Sequence, residues 1–202
     1  MRGALLILLL FAGQGAIGDA SLYFACGACH GRNGEGNEAF DAPAIAGMDP
    51  VHFSTQLRNF RSGVRGRSLE DLYGRQMGLI AAVLEDQDIP RLAAYVANLP
   101  REKPLRTMPV PEADAESLYA PCAACHGANG EGVDAVGGPP LAWLDDWYLL
   151  RQLRNYRSGT RGADSRNRPG VQMRDALANY SDAQFRQLAP YIAALPSRAP
   201  DA

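Results

Sequence analysis

The sequence predicts an all-α protein built from two repeated domains. Three observations lead to this prediction. The two halves align on each other at an offset of 96 residues without a gap. Apolar residues recur at helical spacing between residues that favour helix ends, and no segment shows the sustained apolar and polar alternation that is typical of a strand.

The chain begins with the features of an exported protein. Arg2 precedes an apolar run over residues 4–12, and the small-residue segment Ala16-Ile17-Gly18 follows it. This pattern predicts a signal peptide over residues 1–18 that is cleaved before Asp19, and therefore a periplasmic protein. The alternative is an uncleaved anchor, but the run is much shorter than the roughly 20 apolar residues that a spanning helix needs.

The repeat begins at the first cysteine pair and continues to the last helix of each half. The matched segments are Cys26-Gly27-Ala28-Cys29-His30-Gly31 with Cys122-Ala123-Ala124-Cys125-His126-Gly127, Gly34-Glu35-Gly36 with Gly130-Glu131-Gly132, and Gln56 to Gly63 with Gln152 to Gly159. Prolines at 100, 104, 109 and 111 favour an extended linker between the halves. The predicted domains are therefore residues 19–100 and 112–202, joined by the Pro-rich linker 101–111.

The middle helix of each half has the clearest start and end. Asp49 can cap it, Pro50 suits the first helical position, and Gly63 can take the left-handed conformation that closes a helix. Asp145 and Gly159 hold the corresponding places in the second half.

The last helix of each half is predicted from apolar residues at helical spacing. These residues are Leu92, Tyr95, Val96 and Leu99, and Leu188, Tyr191, Ile192 and Leu195. Pro190 is expected to kink the second copy.

Composition and charge exclude some functions. The chain is 47% apolar and 21% charged, which is ordinary for a globular protein and does not favour disorder. Its net charge is −2 at pH 7, so the sequence does not predict a nucleic acid partner.

The four cysteines stand in two C-x-x-C pairs, and a histidine follows each pair directly. In this arrangement each thiol can form a thioether to a porphyrin, and the adjacent histidine reaches the iron. The alternatives are a redox dithiol, a disulfide and a zinc knuckle, although zinc would need more ligands than each half clusters. The sequence thus predicts two covalently bound haems c, with thioether cysteines Cys26, Cys29, Cys122 and Cys125 and iron ligands His30 and His126.

The second axial ligand of each iron is predicted from the repeat. Met77 and Met173 each follow the histidine of their half by 47 residues. Met48 aligns with Leu144, and Met108 lies in the linker, so neither has a counterpart. Methionine is more commonly a core residue, but methionine opposite histidine is a known haem pairing that raises the reduction potential.

Other repeated residues could support the haems. A backbone carbonyl near Pro43 and another near Pro139 could accept a hydrogen bond from the ligating histidine and fix its ring. Some of the repeated arginines could pair with haem propionates, or they could form a solvated helix face. These arginines are Arg58, Arg61 and Arg65, and Arg154, Arg157 and Arg161. His52 aligns with Tyr148, so it is not part of the repeated haem machinery, and we expect a surface or capping role for it.

These motifs resemble tandem class I cytochrome c domains, and among them the dihaem cytochromes c4. The resemblance covers nearly all of the predicted mature chain. It implies two His/Met-ligated haems, packed about a pseudo-twofold axis with their propionate edges facing the partner domain. It also implies that the carbonyls of Pro43 and Pro139 bind the ligating histidines. The sequence departs from a strict repeat where Ala42-Pro43-Ala44 faces the glycine-rich segment at Gly137-Gly138-Pro139, and at Pro190.

The function implied by the resemblance is a soluble electron carrier, not an enzyme. Its partners would be a quinol-oxidising complex or other donor and a terminal oxidase or reductase. A dihaem peroxidase is an alternative, but it needs one iron with an open position, and the symmetrical methionines argue against it. A module held within a larger redox complex, with peripheral membrane association, uses the same chemistry and stays open.

Overall fold

The computed structural model describes residues 14–109 and 114–195, with side chains from residue 19 onward. Within these ranges there is no strand, and the only extended pairings are isolated bridges between Asn37 and Ala42 and between Val133 and Gly138. The all-α prediction is confirmed for this part of the chain. Residues 1–13 of the predicted signal segment and residues 110–113 at the linker end lie outside it.

In the described ranges each half contains four α-helices in the same order. The first half has α1 (Gln14–His30), α2 (Pro50–Arg61), α3 (Leu72–Ala82) and α4 (Asp88–Ala97). The second half has α5 (Ala115–His126), α6 (Asp146–Arg157), α7 (Arg168–Ala176) and α8 (Asp182–Ala194). No helix of the described ranges has the length and apolar character needed to cross a membrane.

Each half buries its own core. In the first half α2 packs against α3 and α4, and α1 packs against α4; in the second half α6 packs against α7 and α8, and α5 packs against α8. The first core is formed by Tyr23, Ile45, Phe53, Leu57, Ile89, Leu92, Ala93 and Val96. The second core is formed by Tyr119, Leu149, Leu150, Leu153, Leu177, Phe185, Leu188, Ala189, Ile192 and Ala193.

Helix α2 starts and ends as the sequence predicts. The Asp49 carboxylate accepts a hydrogen bond from the backbone N–H of His52 at 2.6 Å, Pro50 is the first helical residue, and Gly63 has a φ of +70° beyond the end of the helix. Helix α8 has a capping box at Ser181 and runs through Pro190 without ending there.

The expectation that Asp145 caps α6 is wrong. Asp145 lies at the N-cap position, but its side chain makes no hydrogen bond to the helix. It accepts instead from the backbone N–H of Leu105 at 2.7 Å and of Ala44 at 3.4 Å. Because Leu105 belongs to the linker and Ala44 to the first domain, Asp145 contributes to the docking of both segments on the second domain.

Candidate haem-binding sites

Both C-x-x-C-H segments lie at the ends of their helices. His30 is the last residue of α1 and His126 is the last residue of α5, and both side chains are buried. Cys26 and Cys122 are partly buried, and both are thiols in the structure. One helical turn separates the two cysteines of each pair, so the thiols and the imidazole are held on neighbouring turns of one helix.

The ring of each histidine is oriented by a backbone carbonyl. His30 Nδ1 lies 2.9 Å from the carbonyl oxygen of Pro43, and His126 Nδ1 lies 2.9 Å from that of Pro139. Burial lowers the pKa of both imidazoles, and the hydrogen bond to the carbonyl offsets this only in part. Each ring is therefore neutral at pH 7, with Nδ1 engaged and Nε2 available to bind a metal.

The two candidate methionines pack on the same cores as the first cysteine of each motif. Met77, on α3, contacts the first core together with Cys26. Met173, on α7, contacts the second core together with Cys122. Met48 also lies against the first core, but it precedes α2 and has no methionine counterpart.

Two close backbone contacts fix where α3 and α7 begin. Gly66 and Gly162 have φ values of +79° and +82°, and a Cβ added to them would lie 2.2 Å and 2.3 Å from the carbonyl oxygens of Gly74 and Gly170. The side chains at the N-caps of these helices, Asp71 and Asn167, accept from the N–H of the same two glycines at 2.9 Å and 3.2 Å. The helices that carry Met77 and Met173 are therefore held at matching positions in the two halves.

Four of the six repeated arginines fall into two groups. Arg61 donates to the carbonyl of Leu84 at 3.0 Å and forms an ion pair with Asp86. Arg157 donates to the carbonyl of Tyr180 at 2.9 Å. Because these guanidinium groups already bind acceptors of their own domain, they do not fit the hypothesis that they pair with haem propionates.

Arg65 and Arg161 meet in a buried cluster between the domains. Arg65 donates to Gln56 at 2.7 Å and to Gln152 at 3.1 Å, and Arg161 donates to Gln152 at 2.8 Å and to Gln56 at 3.0 Å. Each contact is repeated by its counterpart 96 residues away, so the cluster lies on a pseudo-twofold axis. The two glutamines were not predicted as functional, although their place in the repeated segment from Gln56 to Gly63 was a signal.

The expectation of a surface role for His52 is wrong. Its side chain is half-buried and faces the interdomain cluster, where burial and then the charges of Arg161 and Arg65 lower its pKa to about 3. Its counterpart Tyr148 lies in the same cluster and accepts a hydrogen bond from Arg65 at 3.1 Å.

The residues present fit two haem groups. The Nε atoms of Arg65 and Arg161 are buried and have no hydrogen-bond partner among the described residues. Two buried guanidinium groups whose side-chain acceptors are only neutral amides and a phenol call for anionic partners, because an unpaired buried charge is costly. Haem carboxylates supply such charges, and the thiols and neutral imidazoles suit thioether and iron bonds.

Comparisons with known proteins agree with this arrangement. The family model described as cytochrome c matches residues 18–100 and 112–196. A thiosulfate dehydrogenase electron acceptor from Stutzerimonas stutzeri (strain A1501) is 33% identical over 89% of this chain and 82% of that protein. Cytochrome c4 from Azotobacter vinelandii is 30% identical over 96% of this chain and 100% of that protein.

A solved structure shows the same architecture. The crystal structure of reduced recombinant cytochrome c4 from Pseudomonas stutzeri is similar with a TM-score of 0.71 and 25% identity, covering 90% of this chain and 98% of that one. The fold is therefore two tandem cytochrome c domains, and the two domains imply two covalently bound haems c. Since the repeat, the buried arginine cluster and these matches agree, the chain belongs to the cytochrome c family and, within it, to the dihaem cytochromes c4.

Proposed function

We propose that one histidine and one methionine bind the iron of each haem, so that each site is closed to other ligands. The observation that carries this is the repeated geometry, in which Met77 and Met173 pack on the same cores as Cys26 and Cys122. The proposed iron ligands are His30 and Met77 in the first domain and His126 and Met173 in the second. The proposed thioether residues are Cys26, Cys29, Cys122 and Cys125. The carbonyls of Pro43 and Pro139 orient the two imidazoles.

Two closed sites suit an electron carrier and not an enzyme. A haem supplies one-electron transfer at its iron. When the protein provides both axial ligands, reduction needs little rearrangement and a substrate finds no open position. The carrier would work in the periplasm after cleavage before Asp19, between a respiratory donor such as a quinol-oxidising complex and a terminal oxidase or reductase.

Spectroscopy of three variants tests the ligand proposal. Met77→Ala and Met173→Ala should each remove the weak far-red methionine-to-iron band from one of the two oxidised haems, and that haem should bind carbon monoxide when reduced. Met48→Leu is the matched control, because Met48 packs on the first core without a counterpart in the repeat, and both haems should stay closed. Carbon monoxide binding by one haem of the unmodified protein at native pH would contradict the proposal and favour a dihaem peroxidase.

A second candidate function follows from the thiosulfate dehydrogenase electron acceptor that is 33% identical to this chain. In this case the donor would be a thiosulfate-oxidising enzyme. The oxidised protein should be reduced rapidly by thiosulfate dehydrogenase and thiosulfate, but not by thiosulfate alone. Faster reduction by a quinol-oxidising complex and quinol would favour the respiratory role instead.

A further inference from the structure

The interdomain cluster is symmetric in most of its members. Gln56 and Gln152 correspond to each other, as do Arg65 and Arg161. Each guanidinium also lies over an aromatic ring of its own domain, Arg65 over Phe60 at 4.4 Å and Arg161 over Tyr156 at 4.5 Å. A cluster built only from such matched residues would present the same electrostatic environment to both haems.

One pair of corresponding residues breaks this symmetry in its hydrogen bonds. Arg65 has three acceptors among the described side chains, namely Gln56, Gln152 and the Tyr148 hydroxyl. Arg161 has two among the described side chains, Gln152 and Gln56. The residue that corresponds to Tyr148 in the repeat is His52, and it accepts no described hydrogen bond from Arg161. Arg161 is therefore left with more N–H donors for an anionic partner than Arg65.

We propose that the unequal pair His52 and Tyr148 sets the reduction potentials of the two haems apart. The proposal rests on the two haems and their carboxylates at this cluster, but it does not depend on methionine ligation. His52 and Tyr148 act as positioning residues, since they act on the haems through the arginines.

The physical reason is the field that each guanidinium exerts on an adjacent haem. A positive charge favours the reduced form of the iron, and a hydrogen bond to a neutral acceptor holds the guanidinium in a fixed place and uses one of its donors. The side chain of His52 stays neutral because of burial and of the two nearby arginines, so it adds no charge of its own to the cluster. The two arginines are thus identical in charge but unequal in the donors that remain for an anionic partner.

Redox titration of exchanged residues tests this inference in the full dihaem protein. His52→Tyr makes both positions tyrosine, and Tyr148→His makes both histidine. The gap is the difference between the reduction potentials of the two haems. In either single variant the ratio of the two equilibrium constants for reduction should shrink by about threefold to tenfold, where tenfold corresponds to a gap smaller by about 59 mV for a one-electron couple. The double exchange, His52→Tyr with Tyr148→His, should restore a gap.

The matched control is Tyr156→Phe, which removes the other difference in the cluster by making both ring positions phenylalanine. This variant should keep the gap. The proposal is overturned if the unmodified protein shows one potential, if both folded single variants keep the full gap, or if Tyr156→Phe closes the gap instead. Should His52→Tyr fail to fold, Tyr148→His carries the same test.

Spectra recorded on the same samples separate this inference from the proposed ligands. Retention of two haems and of the far-red band in the exchanged variants shows that ligation is intact, so any change in the gap then reports the cluster. Absence of that band from the unmodified protein would contradict the methionine ligands and leave the comparison of potentials unaffected.

Discussion

Asp146 fixes the linker on the second domain. Its side chain is fully buried, and its carboxylate accepts three hydrogen bonds, from Thr107 N at 2.8 Å, Thr107 Oγ1 at 3.0 Å and Met108 N at 2.9 Å. Its counterpart in the first half is Pro50, which has no carboxylate, so this contact exists only where the linker meets α6. Together with Asp145, Asp146 therefore holds linker residues 105–108 against the start of α6.

Asp146→Ala should destabilise the protein by about 2 kcal/mol or more, because it removes the three hydrogen bonds that this buried carboxylate accepts. Denaturant unfolding followed by circular dichroism measures this loss. Asp49→Ala is the matched control: it removes one helix cap in the first domain and should cost about 1 kcal/mol. Equal losses in the two variants would contradict the role given to Asp146.

His52 should make stability depend on pH. Its pKa is lowered to about 3 in the folded protein, mainly by burial, whereas its ordinary value is 6.5. Between these values the unfolded chain binds a proton that the folded chain does not, so stability is full above about pH 6.5 and falls as pH decreases, by at most about 1.4 kcal/mol per pH unit. Unfolding curves at several pH values should show this slope, and His52→Tyr should reduce it.

At the scale of the helix, α7 is placed by the loop that follows α6. The loop passes so close to the first turn of α7 that only a glycine fits at position 162. The same contact recurs between Gly66 and the first turn of α3. Because the proposed ligands Met77 and Met173 lie on these two helices, the close contacts locate the methionines as well as the backbone.

Gly162→Ala should both destabilise the protein and disturb one haem. A Cβ there would lie 2.3 Å from the Gly170 carbonyl oxygen, so α7 must move and Met173 with it. A left-handed backbone conformation alone costs a non-glycine residue about 1 kcal/mol. We expect Gly162→Ala to lower the free energy of unfolding by several times that amount and to weaken the far-red methionine-to-iron band. Gly137→Ala controls for strain, since its φ is +69° and nothing lies within 4 Å of the added Cβ. An unchanged band in Gly162→Ala would show that α7 does not position the methionine.

Local patterns predicted the middle and last helices of each half but not the contacts between the halves. The start and end of α2 follow from Asp49, Pro50 and Gly63, because capping is decided within a few residues. Asp145 has the same local signal, yet its carboxylate binds Leu105 and Ala44 instead. Which acceptor a carboxylate finds depends on segments that the fold brings together, and a one-dimensional pattern does not contain that information.

In the candidate site, too, some residues could be predicted from the sequence and others only from the docking of the domains. The C-x-x-C-H motifs and the equal spacing of Met77 and Met173 are visible along the chain, because ligands to one iron recur at fixed separations in both copies. The role of Arg65 and Arg161 was visible only as membership of a repeated group of six arginines. Burial distinguishes these two from the ion-paired Arg61 and Arg157, and burial here comes from the docking of one domain on the other.

At the scale of the whole molecule, docking of the domains also uses residues that the repeat does not share. Arg151 of α6 forms an ion pair with Asp41 of the first domain and lies over the ring of Tyr73 at 4.9 Å. The corresponding residue in the first half is Thr55, which bonds within its own helix to Val51 at 2.8 Å. The Arg151 contact is therefore made once, on one side of the axis.

Arg151→Thr, which introduces the residue of the other half, should weaken docking by about 1 kcal/mol, since a partly exposed ion pair and a cation–π contact each contribute modestly. Calorimetry of the haem-containing protein should show the unfolding transitions of the two domains moving apart. Arg174→Thr is the control, because Arg174 pairs only with its neighbour Asp175. Identical calorimetric profiles for the two variants would contradict a docking role for Arg151.

The crossed Gln56, Arg65, Gln152 and Arg161 contacts have the form of an isologous dimer interface, in which each partner offers the same patch to the other. A single-haem ancestor carrying this patch could pair with its own copy before the two copies were joined in one chain. Covalent joining makes the association intramolecular and independent of protein concentration. In one chain the two halves can differ from each other, as His52 and Tyr148 do on the two sides of the axis.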